Sequence, residues 1–225
     1  MYVREATFED IPALMDIFTS ARRIMRSSGN LHQWSDSYPS EDIVRNDIDR
    51  KVCRLLCEED GSIIATMAFI PGPDSTYARI YDGSWPDECP YFVIHRIAVK
   101  EPGHDAAAQL FDWAFGMLGS LMTPQGRPEA IRIDTHRDNV IMHHLLKKYG
   151  FTPCGVILLA NGDPRDAYFC KFAESHLNKH FISSTVILNS AVIFSTRCWS
   201  SWVCFLPLQR RQGYRGLYQG YWHRF

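Results

Sequence analysis

Two histidines and an aspartate stand near strand ends. His95 falls inside the apolar run PYFVIHRIAV, and Asp134 and His136 follow closely in AIRIDTH. A neutral imidazole accepts a proton near pH 7 with little bias, so either histidine could serve as a general base. The blander alternatives are a hydrogen bond inside the sheet for His95 and a loop or helix-cap role for His136. A second chemistry lies just beyond His95. Val99 ends the strand, Lys100 to Asp105 turn the chain, and Ala106, Ala107 and Ala108 open a helix. The first N–H groups of a helix lack intrahelical partners and its dipole favours negative charge, so this start could receive a phosphate past small side chains. Close helix–sheet packing would account for the alanines equally well. Residues with a polar handle on an apolar body often line small-molecule pockets. Gln33, Trp34 and Tyr38 between the first two helices, and Tyr91 beside a later insertion that also holds Tyr77, Tyr81 and Trp85, are the candidates for substrate contact.

Other chemistries find less support. The nine histidines include the adjacent pair His143–His144, which cannot face one ligand from one helix face, and there is no HExxH or CxxC spacing, so no metal site is expected. No GxSxG elbow is present, and each cysteine lies in or near an apolar run where a buried, inert thiol is usual. Hydrophobic residues at 46% and charged residues at 22% exclude a disordered or fibrous chain. A net charge of -1 argues against a general nucleic-acid binder. Seven cysteines without a framework spacing favour reduced thiols and a cytoplasmic setting, and MYVREATFEDIPAL, with its early acids, does not read as a secretory peptide.

The elements that must position these residues follow from periodicity. A short strand over residues 2–6 leads into a helix at TFEDIPALMDIF, which Thr7 can cap with Asp10 three residues on, and whose Ile11, Leu14, Met15 and Phe18 share one face. PSEDIVRNDI gives a second helix capped by Ser40. VCRLLCEEDGSIIATMAFI reads as a hairpin turning at Glu59–Gly61. Residues 71–90 read as a loop with at most a short strand, of the kind that forms a pocket wall. PYFVIHRIAV is too continuously apolar for a one-sided sheet face and predicts a central strand. Then come the helix AAAQLFDWAFGMLG, the strand AIRIDT and the helix NVIMHHLLKKYG, which Gly150 closes. Two strands, FTPCGVILLA and DAYFCKF, join through Asn161–Gly162. The order β-α-α-β-β-β-α-β-α-β-β predicts an α/β fold with a partly parallel, mixed sheet between helices.

Together these pieces resemble the GNAT superfamily of acetyl-CoA-dependent N-acetyltransferases over about residues 2–173. The resemblance rests on VREATFEDIPALMDIF, on VIHRIAV with its turn and small-residue helix, and most specifically on IDTHRDNVIMHHLLKKYGFTPCG. GNLHQW, YPSEDI and IHRIAV are also similar to a bacterial subgroup of uncharacterised acetyltransferases. The resemblance implies a splayed sheet in which acetyl-CoA sits where two parallel strands part, here those ending at Val99 and Thr135. It implies that the backbone of Ile97 and Val99 meets the pantetheine arm, that the turn of Pro102, Gly103, His104, Asp105, Ala106 and Ala107 holds the pyrophosphate, and that Asn139 reaches the cofactor. It implies transfer to a primary amine of a small molecule or peptide by direct attack, with no metal, in a protein that is often a dimer.

Two positions depart from the family pattern. The pyrophosphate motif falls on Pro102, Asp105 and Ala107, so only its last small residue is kept. Asp105 should repel a diphosphate, and its carboxylate could cap the helix and compete for the same N–H groups. The family's tyrosine acid, seven residues after the asparagine, is Leu146 here. Tyr149, three residues further on a neighbouring face, is the candidate in its stead, with another donor or water as alternatives. A GNAT-like module that binds an acyl-CoA or a protein without catalysis is the alternative reading, and an unrelated α/β protein with a membrane role is a third.

The domain is expected over residues 1–180. From Ile182 onward there is no Asp or Glu but five Arg and three of the six Trp, which leaves a net charge of -6 before it. Residues 181–225 therefore read as an atypical, apolar and Arg-rich C-terminal extension. A docked segment, a poorly ordered tail, a membrane contact and a foreign stretch are its alternatives.

Overall fold

A computed structural model describes residues 1–103 and 105–172. His104 and the expected 181–225 extension, with its domain boundary and its membrane alternative, lie outside the described residues. The elements run β1 (Tyr2–Glu5), α1 (Ile11–Ser27), α2 (Glu41–Asp49), β2 (Cys53–Cys57), β3 (Ile63–Pro71), β4 (Tyr91–Val99), α3 (Ala106–Leu118), β5 (Ala130–Thr135), α4 (Val140–Lys148), β6 (Thr152–Leu158) and β7 (Pro164–Lys171). This is the order expected from periodicity.

The local signals act as their chemistry requires. Ser40 Oγ accepts the Ile43 N–H at the start of α2, and Asn161 Oδ1 accepts the Asp163 N–H in the last hairpin. Gly150 closes α4 with a φ of 76° that an L side chain rarely adopts. A 3₁₀ turn at Phe8–Asp10 precedes α1. There the Thr7 N–H donates to Asp10 Oδ2 at 2.8 Å and Arg4 donates to both carboxylate oxygens at 2.7 and 2.8 Å. The Arg4 hydrogen bond, opposed by burial and helped by Thr7, holds the Asp10 carboxyl down at about 2 against an ordinary 3.8. A carboxyl lowered in the folded state stabilises it above the unfolded value and loses that contribution as pH falls through the folded one. The melting temperature of Asp10→Asn should therefore lie below that of the parent by a constant gap above pH 5, and the gap should close as pH falls from 4 towards 2. A gap independent of pH in thermal melts would contradict this origin.

The seven strands form one mixed sheet in the order β1-β2-β3-β4-β5-β7-β6. Among the described strands only β4 and β5 run parallel. On one face α1 and α2 pack Leu14, Phe18 and Val44 over Leu55, Cys57 and Ala98. On the other, α3 and the end of α4 pack Leu110, Phe111, Phe115 and Tyr149 over Leu56, Met67, Phe92, Ile131 and Ile133. Leu55 and Leu56 thus serve opposite cores, as the two-residue period of a strand demands. β4 is covered on both sides, which is why its sequence is apolar almost throughout.

Two features of the sheet create a cleft. β4 and β5 pair only at Tyr91–Ala130, Phe92–Ile131 and Val93–Arg132, although β4 continues to Val99 and β5 to Thr135. On its other side β4 stays paired with β3 as far as Ala65–Val99, but with a register shift opposite Arg96, whose φ is 51°. That extra residue is a bulge, which bends β4 away from β5 and ends their pairing.

Residues 72–90 hold a single 3₁₀ turn at Ser75–Tyr77 and one isolated bridge, Tyr81 to Val156, in place of the short strand considered from sequence. The segment crosses the sheet at very close range. A Cβ on Gly83 would overlap Cys154 O, and one on Gly155, itself at a φ of 138°, would overlap Tyr81 O. Arg132 pins the other end. Its buried guanidinium lies 4.2 Å from the Trp85 ring centre and 4.0 Å from that of Tyr91, and donates to Asp87 O at 2.8 Å. This anchoring carries Asp74 and Tyr77 to the edge of the strand split.

Candidate active site

Where β4 and β5 part, a cleft of about 1000 Å³ opens through the sheet. Ile94, Ile97, Ile133 and Met142 supply apolar wall, and Trp34 and Tyr38 close it from the loop between α1 and α2. His95 stands at the split. Strand alternation places it on the same face as Val93, the face covered by α1, α2 and the 72–90 segment.

Three side chains surround His95. Its Nε2 lies 3.0 Å from Asp74 Oδ2 and its Nδ1 lies 3.7 Å from Asp134 Oδ1. Tyr77 donates its hydroxyl to Asp134 Oδ1 at 2.7 Å. Burial pushes the Asp74 carboxyl up, but the His95 hydrogen bond and charge and the Thr76 N–H outweigh it and leave the group at about 2. Burial, then the negative charge of Asp134, pushes the Tyr77 phenol well above its ordinary value, so it remains a donor. The side chains of His95, Asp74 and Asp134 are 20%, 18% and 11% exposed, which leaves them reachable from the cleft.

A second set fixes the far wall. Arg96 donates from Nε and Nη2 to the two oxygens of Asp47 at 2.7 and 2.8 Å, joining the β4 bulge to α2. Gln33 ties the loop after α1 to the end of β5. Its Oε1 accepts from Asn139 Nδ2 and Asn30 Nδ2, each at 2.7 Å, and from Thr135 Oγ1 at 3.4 Å. Its backbone oxygen accepts from Arg165 Nη2 at 3.1 Å.

The structure brings His95, Ile97, Asn139, Gln33, Trp34 and Tyr38 to this one cleft. Asn139 is buried there with both ends engaged, Oδ1 with the Met142 N–H and Nδ2 with Gln33. Val99, Pro102, Gly103, Asp105, Ala106 and Ala107 lie along the end of β4 and the start of α3. Asp105 occupies the N-cap position in a left-handed conformation, φ 48°, and its side chain makes no capping bond. The competition of its carboxylate for the α3 N–H groups, expected from sequence, is therefore absent. His136 directly follows β5 and is not among the residues that line the cleft. Its ring is 6.3 Å from that of His32, and Nδ1 accepts the Asp138 N–H at 3.2 Å. Burial, and then the charge of Arg165, lowers its pKa.

Two expected residues are elsewhere. Tyr149 packs in the α3 core against Phe111 and Phe115, with its hydroxyl 2.8 Å from Ala108 O and 2.6 Å from Asp112 Oδ1. Burial, then the Asp112 hydrogen bond, pushes its phenol up. This packing, on the side of the sheet away from His95, speaks against proton donation by Tyr149. Tyr91 sits at the closed end of the β4–β5 pair, buried under Arg132, and its hydroxyl accepts the Asp74 N–H at 3.1 Å. It supports the site from behind and does not line the cleft.

Asp74, Arg96, Asp47 and Arg165 were not expected at the site, and Tyr77, named from sequence only as one of the aromatics of the insertion, meets Asp134 there. Alternation alone could have paired Asp134 with His95, since each lies two residues beyond the Val93–Arg132 pair. No local signal marks Asp74. Among the described residues, no group of three or more His, Cys, Asp or Glu is placed to hold a metal ion, and no helix is long and apolar enough to cross a membrane.

Among solved structures, the chain is similar to an acetyltransferase of the GNAT family from Streptococcus agalactiae. The two are 30% identical, over 76% of this chain and 95% of that one, with a TM-score of 0.62. A GNAT-family acetyltransferase from Listeria monocytogenes, at 22% identity over 76% of this chain and 94% of that one, shares the fold with a TM-score of 0.56. No family model matches the chain, and no curated protein does.

Proposed function

Because the chain belongs to the GNAT family of acetyltransferases, we propose that it transfers the acetyl group of acetyl-CoA to a primary amine of a small molecule or peptide by direct attack. The observation that carries this reading is His95, placed at the strand split between two carboxylates.

The residues present fit the donor. Beyond Val93, the side of β4 that faces β5 has no strand partner, so Ile97 and Val99 can offer backbone groups to a slender pantetheine arm. The start of α3 is free of a side-chain cap and opens on Ala106 and Ala107, which suits a diphosphate held with Pro102 and Gly103. Asn139 can contribute only through the part of its amide not given to Met142 and Gln33. Acetyl-CoA, when bound, supplies an acyl group activated as a thioester, so that an N–C bond forms as the C–S bond breaks and the thiol leaves.

The chain's own residues handle the acceptor. With Nε2 donating to Asp74, the tautomer we assign to His95 leaves Nδ1 as a proton acceptor. Asp134, whose Oδ1 lies 3.7 Å from that nitrogen, attracts the acceptor as an ammonium. His95 Nδ1 takes its proton, and the Asp74 carboxylate stabilises the imidazolium that results. Trp34 and Tyr38 supply aromatic surface to the acceptor from the loop between α1 and α2. We place the protein in the cytoplasm, a setting that the free thiols of Cys53, Cys57, Cys89 and Cys154 support.

Titration calorimetry with acetyl-CoA should show binding well below millimolar, and an amine panel should show acceptor-dependent thiol release. Absence of binding at millimolar concentration would overturn the reading. Asp105 beside the diphosphate end and Leu146 in place of a tyrosine favour one other reading, a module that binds an acyl-CoA without turnover. Binding with no thiol release across the panel would select it.

A further inference from the structure

We propose that the acceptor is a small amino acid whose carboxylate is received by Arg165, an inference that rests on the acetyl-transfer reading and narrows its substrate class. Arg165, on β7, lines the cleft and is only 4% exposed. Its Nη1 donates to Pro164 O at 2.9 Å and its Nη2 to Gln33 O at 3.1 Å, both neutral carbonyls. No Asp or Glu oxygen among the described residues lies within ion-pair distance of it. The other arginines of the interior differ. Arg96 is forked onto Asp47, and Arg132 lies between two rings with Glu88 at 3.9 Å. Burying a guanidinium without a counter-charge is costly, and the cost is removed when a ligand brings the anion.

Its place in the sheet suits this role. β7 pairs antiparallel with β5 so that Ala167 stands opposite Asp134. Arg165 is two residues along β7 from Ala167 and so shares the face of Asp134. Diagonal neighbours of this kind lie about 7–8 Å apart, their Cβ atoms somewhat closer. One face of the cleft thus presents an acidic end, Asp134 with His95, and a cationic end, Arg165, on the strand paired with that of Asp134. An ammonium is drawn to the acids, where its proton is taken. The carboxylate meets the N–H donors of Arg165 that the two carbonyls leave over, in the paired geometry that guanidinium favours. One uncompensated cation balances one negative charge. A carboxylate carries one, whereas a phosphate ester carries about 1.5 to 2. A peptide N-terminus lacks the nearby carboxylate, and a simple amine lacks it altogether.

The test is a kinetic panel on the full chain, following thiol release from acetyl-CoA. Each L-α-amino acid is paired with its α-carboxamide and its decarboxylated amine. For the preferred side chain, the free acid should exceed both analogues in kcat/KM by about 10- to 100-fold, the range of a charge-assisted hydrogen bond. Arg165→Met should bring the acid-to-amide ratio close to one, and Arg165→Lys should keep part of it. Amides or simple amines that equal or exceed the acids in the parent protein would overturn the proposal while leaving acetyl transfer in place. So would a ratio that survives in Arg165→Met. If that variant does not fold, as judged by circular dichroism, the parent's ratio and Arg165→Lys decide. Thiol release with no amine at all would instead remove the acetyl-transfer reading, and this inference with it.

Discussion

Replacing His95 with Gln should lower kcat/KM for amine acetylation by about 10²- to 10⁴-fold while acetyl-CoA binding stays within about threefold. The size is that of a lost general base. Glutamine can still donate to Asp74 Oδ2, now 3.0 Å from His95 Nε2, and it fills a similar volume. What it cannot do is accept a proton and hold it. The loss should therefore fall on kcat, with little change in the KM for acetyl-CoA, whose fit depends on the separation of β4 from β5. Stopped-time thiol assays against the best acceptor, with calorimetry for the donor, measure both quantities. A variant that keeps a third of the parental kcat would show that water alone takes the proton, and would remove His95 from the mechanism. Asp74→Asn should cost less, because the imidazole remains and only the support of its charged form is lost.

The second large effect concerns the frame of the cleft. Asp47→Ala should destabilise the fold by roughly 3–5 kcal/mol, the usual result of removing one partner of a buried, forked ion pair. The side chains of Asp47 and Arg96 are 6% and 12% exposed, so water replaces the carboxylate only poorly. Burial opposes the charge on Arg96, and the Asp47 carboxylate more than restores it. The pair also joins α2 to a β4 residue at a φ of 51°, a conformation unfavourable for an L side chain and held by its surroundings. At roughly 2–4 °C per kcal/mol for a domain of this size, the melting temperature should fall by about 10 °C. Adding Arg96→Met to Asp47→Ala should recover part of the loss, since no lone charge is then left in the interior. Coincident melts of the parent and Asp47→Ala would show that the pair contributes nothing to stability.

The candidate site was only partly legible. His95 and the loop residues Gln33, Trp34 and Tyr38 stood out by type, and all four line the cleft. Tyr149 and Tyr91 stood out in the same way and are packed away from it. A tyrosine carries both an apolar ring and a polar end, and composition does not say which of the two a fold will use. Asp105 looked like a competitor for the start of α3, but a left-handed backbone turns it out of capping geometry.

The sequence by itself determined the elements and their order. The cap at Ser40, the turns at Gly150 and Asn161–Gly162, and the two-sided apolar pattern of β4 each act within a few residues, where chain geometry leaves little choice. The tertiary structure alone decided the chemistry. Asp74 reaches His95 from 21 residues away because the 72–90 segment lies flat on Gly155. Asp47 meets Arg96 across 49 residues, and Arg165 meets Gln33 across 132. Such meetings follow from strand order and from a single bulge that parts β4 from β5, and no periodicity in the chain encodes which distant charge will stand beside which.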